Sequence, residues 1–369
     1  MTTPHDPLRD RLHGIADTVA PVDLYESALR RSRSIARQRA AAGAALVTLG
    51  LLGGGLWQLH PFGDAGPPVA AASSTARLVR PPSTLSPAAG ARSITDIPGT
   101  LFYRQDDAPA RLLRLRPGSA PTQVLADQPG ALAVSPDGRT AAYVSEAGDV
   151  MLVNLADSKA RQRFRGAVTD GYEPAWSPDG SRLMIARQHG NRAQPGTLDV
   201  ATGAFAPLTG DLAAGRHFQW SGDGSSLVYG IAPCRLAVGA ASGGGNRTVP
   251  VVGDPDTGAN PTGMAACIPI SVDVSGTRVA VTVQGQDAGL DKVPQPADAV
   301  VDVATGEVIS LPVPGTIKAV LFHPDGDLLV RSSTGGRTLL TVFSPGGVKL
   351  VEAVEPAALA GLSLLSYTR

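Results

Sequence analysis

The chain has 369 residues, of which 43 are glycine, 31 are proline and only 17% are charged. A composition so rich in turn formers favours many short strands over long amphipathic helices. The formal net charge is zero, so no basic excess argues for nucleic acid, and two cysteines are too few for a disulfide scaffold.

Residues 1–39 read as a cytoplasmic arginine-rich segment with weak helical patterns over 7–18 and 22–39. Residues 40–59, AAAGAALVTLGLLGGGLWQL, carry no formal charge over the length a helix needs to cross a bilayer. Arg30, Arg31, Arg33, Arg37 and Arg39 precede that span, and Asp64 is the first charge after it. The positive-inside rule then places the amino terminus in the cytoplasm and the rest outside a single-pass membrane protein. A cleaved signal peptide is the alternative, with small residues at Val69-Ala70-Ala71-Ala72; the remainder is exported either way. Residues 60–97 are rich in proline and alanine and read as a semi-extended linker.

From residue 131 onward the sequence repeats itself. Val134-Ser135-Pro136-Asp137-Gly138 returns as Trp176-Ser177-Pro178-Asp179-Gly180 and as Trp220-Ser221-Gly222-Asp223-Gly224. Looser copies stand at Val272-Asp273-Val274-Ser275-Gly276 and Phe322-His323-Pro324-Asp325-Gly326. The interval, roughly 40 to 50 residues, is that of a four-stranded propeller blade. Proline sets φ, aspartate caps nearby N–H groups and glycine accepts positive φ, so each copy is a tight turn between two apolar strands. Asp199-Val200-Ala201-Thr202-Gly203, Asp302-Val303-Ala304-Thr305-Gly306 and Ser344-Pro345-Gly346-Gly347 give a second turn per unit. Three strands over 99–126 precede the first full motif, and one apolar strand at about 358–367 is left over at the end. Three plus one completes a blade, giving an all-β, six-bladed β-propeller over 98–369, with seven blades the alternative.

The repeated Ser-Pro-Asp-Gly turn followed by a β-run resembles the repeat of TolB-like propellers, which are related in architecture to WD-repeat proteins. The resemblance covers about 99–369 and implies an extracytoplasmic interaction module, and fold alone does not establish a site; we expect the propeller to be monomeric.

The chain lacks a Gly-x-Ser-x-Gly elbow, a His-Glu-x-x-His helix and a Walker loop, and its six histidines, at 5, 13, 60, 189, 217 and 323, are scattered. We therefore expect no enzyme, no cofactor and no metal, and a propeller that binds a protein, peptide or envelope component. A membrane-bound regulator of anti-sigma type and a propeller-loop hydrolase or lyase are the alternatives. Inner strands of propellers line the central channel, and the places four or five residues before the turns bring Glu173, His217 and Lys318 to one mouth, with Tyr172 and Arg216 beside them. A solvated rim without a ligand is the competing reading. Cys234 and Cys267 both belong to the exported part, where oxidising conditions favour a disulfide; buried free thiols are the alternative.

Overall fold

The computed structural model describes residues 94–105, 110–126, 131–250, 264–285 and 295–368. The segments at 1–39 and 40–59 and most of the linker lie outside these. Among the described residues no helix is long and apolar enough to cross a membrane.

Six antiparallel sheets of four or five strands follow one another along the chain, besides a two-stranded ladder of Met264–Ala265 with Gln284–Gly285. Blade I contains Thr100–Gln105, Arg111–Leu115 and Thr122–Ala126, with Ser363–Thr368 as its innermost strand. Blade II contains Leu132–Val134, Thr140–Val144, Asp149–Asn154 and Ala160–Arg165. In blade III the inner strand is broken into Ala167–Val168 and Ala175–Trp176, both paired with Arg182–His189; Arg192–Asp199 and Phe205–Pro207 follow. Blade IV contains Arg216–Trp220, Ser226–Ile231, Arg235–Ala240 and Arg247–Thr248. Blade V contains Pro269–Val272, Arg278–Val281, Ala299–Asp302 and Val308–Ile309. Blade VI contains Thr316–Phe322, Leu328–Thr334, Arg337–Phe343 and Lys349–Val354. The innermost strands touch one another in cyclic order, so the sheets form a six-bladed propeller closed by the pairing of Ser363–Thr368 with Thr100–Gln105. The three-plus-one expectation holds, with the closing strand starting at Ser363 after a short 3-10 turn over Ala357–Leu359.

Period-two alternation explains why blades stack. In Arg182–His189, Leu183 and Ile185 pack towards blade II, while Met184 and Ala186 pack towards blade IV. Blade VI does the same, with Leu329 turned to blade I and Leu328 and Val330 to blade V. Both faces of each sheet are thereby buried, and every fully buried Leu or Val contributes about 1.5–3 kcal/mol. Arginines opening two second strands add face-on contacts to the next blade: Arg182 lies over Trp220 at 4.8 Å and Arg278 over Phe322 at 5.4 Å.

The repeated turns are built as their residues dictate. Ser135 donates its hydroxyl to Asp137 (2.6 Å), and the same carboxylate accepts from the Arg139 N–H. Ser177 with Asp179 and Ser221 with Asp223 repeat the arrangement. The looser copies keep the function with other groups. Asp273 accepts from the Thr277 and Arg278 N–H groups, and His323 Nδ1 accepts from the Asp325 N–H. Gly222 replaces the turn proline in blade IV for a steric reason. A Cβ there would lie 2.9 Å from Val274 Cα and 3.0 Å from the Pro324 carbonyl, so only glycine lets these turns meet.

Asp179 makes its turn acid-sensitive. The Ser177 hydroxyl, with Ser181, holds Asp179 down to about 2, below its ordinary 3.8. A carboxylate depressed in the folded state adds stability above its unfolded pKa and loses it as pH falls towards the folded one. Asp179→Asn should therefore lower stability at pH 7 by about 1 kcal/mol, allowing for solvent screening. The difference from the parent should shrink between pH 4 and pH 2 in urea titrations; a difference constant across that window would mean the carboxylate is not what holds the turn.

Cys234, in the hairpin joining Ile231 to Arg235, is bonded to Cys267 ahead of blade V's inner strand, so the expected disulfide is present. The sulfurs are the centre of a small cluster with Ala265 and Ile268. Closing a loop of this length stabilises the fold by roughly 3–4 kcal/mol in the chain-entropy model.

Candidate functional site

The inner strands surround a central channel of about 930 Å³ to which all six blades contribute. Its wall is largely apolar and aromatic, with Trp176, Phe218, Trp220 and Phe322 among the lining residues. Both tryptophans pack between blades as the pattern required, and Trp176 ties blade III to blade II by donating its Nε1–H to the Ala133 carbonyl (3.2 Å). They also face the channel, a role the repeat pattern gave no reason to assign.

Two faces differ. The Ser-Pro-Asp-Gly turns end the inner strands on one side, here called the turn face. The inner strands begin on the other, the mouth face. Glu173 and His217 lie where the walls of blades III and IV begin, and there the two side chains meet, His217 Nδ1 to Glu173 Oε2 at 2.8 Å. The histidine side chain is 1% exposed and the carboxylate 27%. His217 has φ +51°, shared among the described non-glycine residues only with Ser158. The cause is local. The ladder between Arg216–Trp220 and Ser226–Ile231 shifts register after Arg216, and the His217 N–H turns back to donate to the Gly171 carbonyl (2.9 Å). A non-glycine residue held in the left-handed region by its surroundings stores backbone strain. Beside this pair Arg216 lies over the Tyr172 ring at 5.8 Å, so four of the five residues singled out from sequence come together at the seam of blades III and IV.

Lys318 does not join the channel wall. It is exposed, at a register shift between Ile317 and Ala319, and is not among the lining residues. Glu173 and His217 stand at the same distance before their turn glycines, Gly180 and Gly224. Counting the same distance back from Gly326 gives Ala319. In a strand, a slip of one residue moves a side chain to the opposite face.

Arg104, at the far end of blade I's second strand, lines the channel and carried no signal in the sequence. Towards the turn face the wall includes Tyr367, whose phenol is pushed up by burial and further by Asp327 and Asp325. No three His, Cys, Asp or Glu side chains converge in a metal-binding arrangement among the described residues.

No family model matches the chain, and no curated protein matches it. Among solved structures, TolB from Acinetobacter baumannii is similar at 19% identity and a TM-score of 0.48, over 70% of this chain and 64% of that one. The match thus spans less than two thirds of that protein's length. A putative TolB from Agrobacterium tumefaciens is similar at 17% identity and a TM-score of 0.46, over 62% of this chain and 84% of that one. An oligogalacturonate lyase in complex with manganese is similar at 14% identity and a TM-score of 0.42, over 72% of this chain and 76% of that one. At such identities neither a binding role nor a catalytic one transfers, and the six-bladed ring stands on the chain's own strand pairing.

Proposed function

We propose that this protein is a non-catalytic binding propeller, exported and tethered to the cell membrane through residues 40–59, that captures a protein, peptide or envelope component at the mouth of its channel. The observation that carries this reading is the Glu173–His217 pair. Polar groups from two blades converge at the start of an apolar channel of ligand-binding size, and one of them is held in a strained conformation. The Cys234–Cys267 bond supports export, because structural disulfides persist in oxidising compartments. Gly99, at the start of the ring, lies against Thr368 and His323 on the turn face.

The test is capture of partners from cross-linked membranes by the full-length chain, compared with a Glu173→Ala, His217→Ala double variant. The variant should keep a cooperative thermal transition and lose the partners. Capture undiminished by the two substitutions would move the contact surface away from the channel mouth.

A further inference from the structure

The charged groups of the channel wall are few, and they are unequal in what they offer a visitor. Glu173, Arg104, His217 and His323 are the titratable or charged lining residues apart from Tyr367. Arg104 is already engaged in an interaction within the protein. The His217 side chain is sealed, and His323 Nδ1 is occupied by the Asp325 N–H. Glu173 alone combines a formal charge with substantial exposure and a spare oxygen. Its Oε2 meets His217, while a carboxylate has about four lone-pair sites to fill. Aromatic side chains line the same channel at Trp176, Phe218, Trp220 and Phe322 and give it an apolar surface.

Resting on the reading of the channel as a binding site, we propose that it selects ligands that present a primary ammonium group on an apolar or aromatic body, with Glu173 as the counter-charge. The ammonium donates to Glu173, and the body replaces water along the wall. The body can belong to a small amine or to a lysine-bearing segment of a partner, since the recognised chemistry is the same. An anionic ligand of equal shape would meet the carboxylate head-on and be rejected.

Three probes with one body separate charge from shape: naphthylmethylammonium, naphthylmethanol and naphthylacetate, titrated calorimetrically into the full-length protein in detergent. The cation should bind at least tenfold more tightly than the anion, with the alcohol between them. Glu173→Gln keeps a hydrogen-bonding group beside His217. It should bring the cation's affinity down to that of the alcohol and leave the alcohol's unchanged, with the melting transition intact. An anion or alcohol bound as tightly as the cation, or a cation indifferent to Glu173→Gln, overturns the inference. So does the absence of binding by all three probes. If these probes fail while partner capture still depends on the channel residues, ammonium selection falls and the binding role stands; if capture is indifferent as well, both fall.

Discussion

A chain lacking residues 358–369 is expected to lose most of its stability and to aggregate. Those residues supply the innermost strand of blade I, whose Leu364 and Tyr367 are almost wholly buried in the cluster shared with blade VI. Each contributes about 1.5–3 kcal/mol by burial, against a total of about 5–15 kcal/mol for a native domain. Their removal also strips one side of Thr100–Gln105 and exposes a strand edge to other chains. Tyr367→Ala is the milder version and should cost about 3–5 kcal/mol in urea titrations, comparable to other aromatic truncations in cores. A truncated chain that melts with the parent would show that the ring is closed by something other than this strand.

Glu355→Ala should cost about 3–5 kcal/mol, because it leaves a buried guanidinium without its counter-charge. Glu355 follows the last strand of blade VI and receives the Tyr103 hydroxyl from blade I at 2.9 Å. Its other oxygen takes Arg331 Nη2 at 2.6 Å and Nε at 3.2 Å. Arg331 also donates to the carbonyls of Leu362 (2.6 Å) and Leu359 (3.3 Å) in the segment that returns to blade I. Burial pushes the Glu355 carboxyl up, and Arg331 and Tyr103 oppose that by bonding to its charged form. Removing both charges, as in Glu355→Leu with Arg331→Met, should cost less than Glu355→Ala alone, since no charge is then stranded. A double variant as unstable as the sum of its singles would show that the two side chains act independently.

What could be read from sequence followed from how local each feature is. The turn chemistry sits within five consecutive residues, so Asp137, Asp179 and Asp223 declared their turns and, through the spacing, the blades. Blade closure followed from arithmetic on leftover strands, and the disulfide from the expectation that both cysteines are exported. The Arg331–Glu355–Tyr103 network was invisible because Tyr103 and Glu355 lie at opposite ends of the ring's sequence and meet only when it closes. The candidate site fell between these cases. Glu173 and His217 could be placed by counting from their turns, whereas Lys318 stands one residue further from its turn glycine than they do and falls off the channel wall. The broken inner strand of blade III gave no signal either, since its halves are only two residues each.

The contact between Gly99 and Thr368 has a mechanical meaning. A chain pulled through the residues before Gly99 delivers its load to Thr100–Gln105, which is hydrogen-bonded to Ser363–Thr368 on one side and to Arg111–Leu115 on the other. Tension along that strand shears two ladders at once rather than peeling one from an edge, and the bonds of each ladder share the force. Thr100–Gln105 is therefore one of the hardest strands in blade I to withdraw.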